Sequence, residues 1–162
     1  HGEYKEWYEN GQLRIQTMMA DDKRNGEYKE WHANGQLDIQ CVYVDGKRNG
    51  ELKEWYENGQ IKWVNNKMTG EEKEWYENGQ LKAQMMVDDK NHGEYKDWYE
   101  NGQLKTQVMM VDDKKHGEYK EWHENGQLLM QTMYVDGKEN GEHKDWYKDG
   151  QLRTQTMMVD DK

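Results

Sequence analysis

Residues 2–13 read GEYKEWYENGQL, and close copies of this stretch make up seven units of the chain. Aligned on the Gly of their Asn-Gly or Asp-Gly pair, the copies centre on Gly11, Gly35, Gly59, Gly79, Gly102, Gly126 and Gly150. Most steps are 24 residues long, but the step from Gly59 is 20 and the step from Gly79 is 23. A period in this range is typical of stacked repeat proteins, in which each unit covers the apolar face of its neighbour.

The repeats predict a single domain over residues 1–162, built as one array. Its seven repeats cover approximately residues 1–25, 26–49, 50–69, 70–92, 93–116, 117–140 and 141–162. Within each unit, two short segments rich in Trp, Tyr, Thr, Val and Met flank the Asn-Gly, which is a strong hairpin signal because Asn and Gly accept positive φ at low cost. The sequence therefore predicts an all-β fold, an elongated and twisted single-sheet meander of about fourteen strands in tandem antiparallel hairpins.

The register of each hairpin has two solutions. A two-residue Asn10-Gly11 loop would place Tyr8 opposite Leu13, whereas a three-residue loop from Glu9 to Gly11 with a Gly bulge would place Trp7 opposite Leu13. We favour the second solution, because it puts Trp7, Leu13, Ile15 and Thr17 on one face. A slip of one residue would send these side chains to the other face.

On this register the array carries a structural ladder of Trp and Leu or Ile side chains. Its members are Trp7, Trp31, Trp55, Trp75, Trp98, Trp122, Trp146, Leu13, Leu37, Ile61, Leu81, Leu104, Leu128 and Leu152. Met-Met pairs such as Met18-Met19 and Met109-Met110 point to opposite faces, so one member of each pair can pack while the other is exposed. The short third repeat, GQIKWVNNKMTG, lacks the usual acidic turn and predicts a tighter turn at Asn65-Asn66.

Composition and charge limit the classes of function. The net charge is −10, without a basic cluster, which disfavours binding to nucleic acid or to anionic lipid. Neither a signal peptide nor an apolar run of transmembrane length is visible, and Cys41, the lone cysteine, cannot form an internal disulfide. Eight Trp and eleven Tyr supply enough burial area for a thin core despite the high content of charged residues.

The recurring GEYKEWYENGQL, together with YVDGK at residues 43–47 and 134–138, resembles the bacterial variant of the MORN repeat, a family of tandem β-hairpins. The resemblance covers essentially the whole chain and implies a protein-binding scaffold. Relatives often carry an antitoxin label, and some carry a phosphatidylinositol phosphate kinase label. The kinase label finds no support here, because the sequence has neither a Gly-rich phosphate loop nor the catalytic residues of a kinase.

We therefore predict a non-catalytic module, without cofactor or metal, that binds a protein partner of unknown identity in an antitoxin-like or immunity-like role. The candidate contact residues form a tyrosine stripe that follows the ladder Trp: Tyr8, Tyr56, Tyr76, Tyr99 and Tyr147. Two alternatives stay open, an aromatic cage for choline or a glycan and a passive structural spacer. Exposed edge strands would also allow molecules to pair edge to edge.

The acidic, histidine and cysteine residues that could form a metal site or a catalytic site are interpreted as structural. The acidic turns at Asp21-Asp22, Asp88-Asp89, Asp112-Asp113 and Asp160-Asp161 are read as solvated turns, because equivalent turns lie about 10 Å apart and calcium needs convergent oxygens. The same spacing separates His92 from His116, too far apart to share a zinc ion. Cys41 is expected to pack, since Thr17, Thr132 and Thr156 hold the same position in other repeats, and repeated carboxylates such as Glu6, Glu30 and Asp97 are expected to be solvated or ion-paired.

Overall fold

The fold is described from a computed structural model that covers residues 1–88 and 90–158. All regular structure in this part of the chain is β-strand, and neighbouring strands within each unit pair antiparallel. None of these residues forms a helix of the length and apolarity needed to cross a membrane. The predicted all-β meander of hairpins is confirmed.

The chain divides into two compact units, His1–Gly79 and Gln80–Lys162. The strands of the first unit are β1 (Gly2–Trp7), β2 (Leu13–Ala20), β3 (Lys23–Trp31), β4 (Leu37–Val44), β5 (Lys47–Trp55), β6 (Ile61–Asn66) and β7 (Glu71–Trp75). Each of these strands pairs with the next one along the chain.

The second unit repeats the pattern with two interrupted strands. Its strands are β8 (Leu81–Asp88), β9 (Lys90–Asn91), β10 (Gly93–Trp98), β11 (Leu104–Val111), β12 (Lys114–Trp122), β13 (Leu128–Val135), β14 (Lys138–Glu139), β15 (Gly141–Trp146) and β16 (Leu152–Met158). A single residue separates β9 from β10, and a single residue separates β14 from β15. The short strands β9 and β14 are therefore the first parts of two longer strands.

The hairpin loops follow the three-residue solution. In the first repeat the Gly11 N–H donates to the Tyr8 carbonyl, the Tyr8 N–H donates to the Gln12 carbonyl, and Trp7 pairs with Leu13. Gly11 has φ of +83°, which a residue with a side chain rarely adopts. The same pairing occurs at Trp31–Leu37, Trp55–Ile61, Trp98–Leu104, Trp122–Leu128 and Trp146–Leu152. The register that we favoured is confirmed.

Four of the acidic turns, at residues 21–22, 45–46, 112–113 and 136–137, are two-residue loops with positive φ at both positions. Asp21 and Asp22 have φ of 49° and 59°, and Asp45 and Gly46 have φ of 49° and 77°. This geometry matches the twist of the flanking strands and suits Asp and Gly better than most residues.

The turn of the third repeat differs from the prediction. Asn65 and Asn66 belong to β6, and the connection is a four-residue turn over residues 67–70. The Asn66 side chain explains the difference, because its Oδ1 accepts the N–H of Met68 and of Thr69, while its carbonyl accepts the N–H of Gly70. The predicted Asn65-Asn66 turn was wrong, since Asn66 begins the turn from the end of a strand instead of lying inside it.

The two faces of each unit differ strongly. Directly opposite residues share a face, so the pair Tyr4–Thr17 lies on one face and the pair Glu3–Met18 lies on the other. We call these the Thr17 face and the Met18 face, after the residues in the first repeat and their equivalents in the others.

The buried core lies on the Thr17 face. Small residues at the Thr17 position alternate across the sheet with larger residues at the Tyr4 position, as in the pairs Tyr28–Cys41 and Val108–Tyr119. The buried residues are Thr17, Tyr28, Cys41, Leu52, Thr106, Val108, Tyr119 and Thr132. Each small side chain fits beside a bulky one, which explains why Thr, Cys and Val recur at this position.

The ladder residues occupy the ends of the strands. Each ladder Trp is the last residue of its strand, and each ladder Leu or Ile is the first residue of the next long strand. Trp7 is 56% exposed and Leu152 is 49% exposed, while the other members are half-buried. The most deeply buried side chains are therefore those of the Thr17 and Tyr4 positions and not those of the ladder.

Candidate functional site

The tyrosine stripe contributes contacts between consecutive repeats within each compact unit. The hydroxyl groups of Tyr8, Tyr56 and Tyr99 donate to the backbone carbonyls of Trp31, Trp75 and Trp122 at 2.7–2.8 Å. His32 and His123 stand in the same position, and their Nε2 atoms lie 3.0 and 3.1 Å from the carbonyls of Trp55 and Trp146. Tyr147 is 53% exposed, whereas Tyr8, Tyr56, Tyr76 and Tyr99 are half-buried. The contact role of this stripe stays a prediction, and the structure gives three of its members a role in holding repeats together.

The loop asparagines form a second link between repeats, which the sequence analysis treated only as turn formers. Asn10 accepts the N–H of Gln12 with its Oδ1, and its Nδ2 donates to the carbonyl of Ala33 in the next loop at 2.8 Å. The same donation to the next loop is made by Asn34, Asn58, Asn101 and Asn125. Asp149 stands in this position in the seventh repeat and keeps the acceptor role, but it has no amide N–H to donate.

The Met18 face carries a row of exposed apolar side chains, which we call the methionine row. In the first unit it contains Met18 and Val42, and in the second unit it contains Met86, Met109, Met133 and Met157. Their exposed fractions lie between 41% and 66%. Met19 and Met110, the partners of Met18 and Met109, are half-buried on the Thr17 face, so the predicted division is confirmed for these two pairs. In the pair Met157-Met158 both side chains are exposed, at 66% and 37%, so the prediction was wrong there.

Charged residues beside the methionine row neutralise one another. In the sixth repeat the Lys120 ammonium lies 2.7 Å from a Glu118 oxygen, and the Gln131 amide donates to the other oxygen at 2.5 Å. The hydrogen bond from Lys120 is the main cause that holds the pKa of Glu118 below its usual value. Burial opposes it, and the hydrogen bond from Gln131 lowers the pKa by a smaller amount. Equivalent Glu–Lys–Gln triads centre on Glu3, Glu27, Glu94 and Glu142, and the pKa of each of these carboxyls is also lowered.

Two tyrosine pairs on the Thr17 face hold a basic side chain of the chain itself. Tyr28 and Tyr43 meet edge to face with ring centroids 5.7 Å apart, and the Arg24 guanidinium lies 4.6 Å from one centroid and 5.4 Å from the other. Such arrangements bind cations through the negative faces of the rings. The two tyrosines thus form an aromatic cage that contains an arginine of the chain itself, and the cage for choline or a glycan considered from the sequence stays a prediction.

The sixth repeat contains the equivalent arrangement. Tyr119 and Tyr134 lie 5.6 Å apart, and the Lys115 ammonium is 4.1 and 5.0 Å from their centroids. Burial is the main cause that raises the pKa of Tyr119 to about 12. Sequence reasoning missed the basic residues of both cages, although Arg24 and Lys115 stand at the same place in the repeat, thirteen residues after the hairpin glycines Gly11 and Gly102.

Two of the residues considered for metal binding, Asp112 and Asp113, contact residues 90 and 91 of the preceding repeat. Asp113 accepts the backbone N–H of Asn91 at 2.8 Å, and the Lys90 ammonium lies 3.6 Å from Asp112. Among the described residues, no three His, Cys, Asp or Glu side chains come together as a set that could hold a metal ion. Of the four acidic turns, Asp89, Asp160 and Asp161 lie outside the described residues.

Two further interpretations from the sequence can be placed on the structure. Cys41 is 3% exposed, and burial raises the pKa of its thiol, so it packs as expected. Glu6 is ion-paired with Arg14 at 2.7 Å, and Glu30 accepts the Tyr28 hydroxyl at 2.6 Å. Both carboxylates lie on the Thr17 face and are half-buried, which is a less solvated setting than the sequence suggested.

A model of the MORN repeat variant matches residues 1–21, 24–45, 48–62, 68–89, 91–112, 115–136 and 139–160. The chain belongs to the MORN repeat variant family. The seven matches follow the seven hairpins, and MORN repeats are generally non-catalytic binding modules. No curated protein matches this sequence.

Proposed function

We propose that this MORN array is a non-catalytic module that binds a protein partner through the methionine row on its Met18 face. The observation that carries the proposal is the repeated exposure of Met18, Val42, Met86, Met109, Met133 and Met157 at one position of the repeat. Apolar side chains that recur on the same face of successive repeats within a unit support a contact with another protein. Methionine suits this role because its flexible, polarizable side chain adapts to the partner.

The charges around the row favour a basic partner. Along the row itself the Glu–Lys–Gln triads balance acidic and basic groups, so an apolar contact there does not bury an unpaired charge. The acidic excess is exposed in the hairpin loops, at Glu9, Glu57, Glu77, Glu100 and Glu124. Complementary charge at the rim of an interface accelerates association and makes it sensitive to salt.

An antitoxin-like or immunity-like role is the specific form of this proposal. A toxin that is basic around its functional surface would match both the net charge of −10 and the repeated acidic loops. The tyrosine stripe then supports the surface from within the array, and Tyr147, its exposed member, is available at the rim.

A capture experiment with paired variants tests the proposal. The immobilised chain would be incubated with lysate of the source cells, and retained proteins would be quantified by mass spectrometry for the parent chain and for a Met109→Glu, Met133→Glu variant. We expect a partner that the parent retains and that the variant loses, because both substitutions place a charge in the contact without touching the buried core. Circular dichroism would confirm that the variant is folded.

The control variant is Met68→Glu. Met68 is 85% exposed and lies in the turn of the third repeat, outside the methionine row, so this change should leave capture intact. Equal capture by the parent and the Met109→Glu, Met133→Glu variant would contradict the proposed surface. No specific capture by any of them would favour a spacer, and saturable binding of choline or a glycan in its place would favour the aromatic-cage alternative.

A further inference from the structure

A cavity of about 330 Å³ opens on the Thr17 face of the second unit, in the fifth repeat. Its walls include Asn91, Tyr95, Asp97 and Met110, together with Lys115 at the end of the fifth repeat and Tyr119 of the sixth repeat. Sites for small organic ligands typically have this character, an apolar concavity with a few polar groups, at volumes of roughly 300–1,000 Å³. The Glu–Lys–Gln triads and the methionine row lie on the other face, so this cavity is separate from the surface proposed above.

The equivalent place in two other repeats is filled by the chain itself. Arg24 lies over Tyr28 and Tyr43 of the second repeat, and Lys115 lies over Tyr119 and Tyr134 of the sixth repeat. In each case a basic side chain, a pair of tyrosines and a glutamate come together on one face. The repeat thus builds a cation site and supplies its own cation.

The fifth repeat keeps the site but changes the side chains that fill it. Asn91 stands where Arg24 and Lys115 stand, so the position carries a neutral amide in place of a cation. Met110 replaces the second tyrosine, and Asp97 replaces the longer glutamate. Thr106 stands where the second and sixth repeats have Ile39 and Met130. Each change shortens or slims a side chain, which accounts for the open volume.

Asp97 supplies the negative charge of the cavity. Its Oδ2 is 3.7 Å from the Lys105 ammonium, while its Oδ1 is buried and has no hydrogen-bond partner among the described residues. The seventh repeat has the same Asp and Thr at these positions, but there Thr154 donates to Asp145 at 2.5 Å and His143 lies 3.3 Å from the same oxygen. A buried carboxylate oxygen without a donor is costly, and a rotation of the carboxylate would present it to a donor in the cavity.

We propose that this cavity binds a primary ammonium group on a short apolar chain. The ammonium takes the place that Arg24 and Lys115 hold in their repeats, over the ring of Tyr95 and within hydrogen-bond reach of Asp97. The alkyl chain lies against Met85, Val108 and Met110, which form the apolar wall. Lys115 does not compete for this place, because its ammonium is held over Tyr119 and Tyr134. Both a free alkylamine and a lysine side chain of another protein present this group.

Methyl-resolved NMR of the full chain tests the proposal, with methionines labelled at the methyl carbon. The probes are n-butylammonium, the neutral n-butanol, and Nα-acetyl-lysine N-methylamide. We expect n-butylammonium to shift the Met85 and Met110 signals in a saturable way, while the signals of Met109 and Met133 on the other face stay in place. n-Butanol should bind at least about tenfold more weakly, because it lacks the charge that the rings and Asp97 recognise.

Two variants distinguish binding of n-butylammonium at this site from unspecific binding to apolar surface. Asn91→Lys supplies the cation that the second and sixth repeats have, so it should weaken n-butylammonium binding by at least about tenfold while the fold is kept. Asp97→Asn should weaken it similarly. The matched control is Asp145→Asn, the same change at the same position of the seventh repeat, and should alter the dissociation constant by less than about twofold.

The order of affinity of the probes distinguishes the two sources of the ammonium group. Tighter binding of the lysine amide than of n-butylammonium would assign the site to a lysine side chain of a protein, and the reverse order would assign it to a free amine. Equal binding of n-butanol and n-butylammonium, unchanged binding in Asn91→Lys, or no saturable shift of Met85 and Met110 would each overturn the proposal. None of these results depends on capture of a partner by the methionine row.

Discussion

Two threonines in the buried core place a polar hydroxyl group in apolar surroundings. Thr17 and Thr132 are 2% and 1% exposed, and within the described part of the chain their hydroxyl oxygens have no hydrogen-bond partner. Burying a hydroxyl without a partner costs free energy, because its hydrogen bonds to water are not replaced. Cys41 and Val108 occupy the same position in other repeats without carrying this cost.

We therefore expect Thr132→Val to stabilise the protein. Valine has nearly the shape of threonine, so the substitution removes the unpaired hydroxyl without opening a cavity, and the gain should be about 1 kcal/mol. Urea unfolding followed by tryptophan fluorescence would measure the change. The reverse substitution, Val108→Thr, should lower the free energy of unfolding by a similar amount, and a loss of stability in Thr132→Val would show that its hydroxyl has a donor or acceptor after all.

Which positions become buried could not be read from the residue types alone. Trp is the largest apolar residue in the repeat, and the sequence analysis placed it in the structural ladder, yet the structure puts it at the strand ends, where it is half-buried or exposed. The bulge between Glu6 and Trp7 changes the pairing at this point. Burial depends on distance from the strand end as well as on face, and the sequence pattern reports only the face.

At the scale of the hairpin, the loops join the repeats through side chains. The Asn34 amide donates to the Glu57 carbonyl at 2.7 Å, and the Gln36 side-chain oxygen packs within 3.0 Å of the place where Gly59 would carry a Cβ. Glycine is therefore needed at position 59 for two reasons. Its φ of +82° disfavours a residue with a side chain, and a Cβ there would lie too close to the Gln36 oxygen. The loop sequence Asn-Gly-Gln serves both the turn and the contact with the neighbouring loop.

Asn34→Asp tests the contact between loops. Aspartate keeps the oxygen that accepts the Gln36 N–H but loses the N–H donor to Glu57, so the turn is retained while the bond to the next repeat is removed. We expect a loss of roughly 0.5–1 kcal/mol in the free energy of unfolding. Urea unfolding would measure it.

Asp149→Asn is the control for this change. Asp149 accepts the Gln151 N–H, as the asparagines of the other loops accept the N–H of their own Gln. The seventh repeat thus already carries the aspartate that Asn34→Asp would introduce in the second repeat. Among the described residues it has no following loop to contact, so Asp149→Asn should have a much smaller effect. An effect of Asn34→Asp no larger than that of the control would contradict a stabilising role for the contact.

The Glu–Lys–Gln triads make stability depend on pH. The pKa of Glu94 and of Glu118 is lowered in the folded protein, first by the hydrogen bond from lysine, so these groups stabilise the fold above their ordinary pKa of 4.5 and lose this contribution as the pH falls through the folded value. We expect the free energy of unfolding to decrease between about pH 6 and pH 3, with a smaller decrease in a Glu94→Gln, Glu118→Gln variant.

The matched control for the pH series changes two exposed loop glutamates, in Glu57→Gln, Glu124→Gln. Urea unfolding at a series of pH values would compare the three proteins. The triads would be ruled out as a source of the pH dependence if the parent, the triad variant and the loop variant showed the same slope.

The hairpin loops were predictable because their conformation is local, whereas the exceptional turn was not. The Asn10-Gly11 pair predicted a hairpin loop from local sequence alone but fitted two registers, and the shared face of Trp7, Leu13 and Ile15 was the reason for favouring the three-residue loop. In the third repeat, Asn66 forms the turn over residues 67–70 through its own side chain, and an Asn-Asn pair gave no indication of which residue would begin it.

For the whole molecule, seven similar repeats give each of the two compact units two faces with different roles. The Thr17 face buries the core, with its tyrosines, carboxylates and basic side chains, and the Met18 face exposes the methionine row. The cavity of the fifth repeat was not predictable from one repeat. It results from four substitutions that are distant in sequence and meet only when β9, β10 and β11 pair with their neighbours.

The central claim is that the methionine row contacts a protein partner, and oxidative footprinting tests it most directly. Dilute peroxide converts exposed methionines to sulfoxides, and the rate at each residue would be followed by mass spectrometry for the free chain and for the chain with its captured partner. The proposed interface predicts that Met86, Met109 and Met133 become several-fold slower to oxidise in the complex, while the exposed Met68 reacts as before. Unchanged rates along the methionine row in a complex that stays intact would contradict the claim.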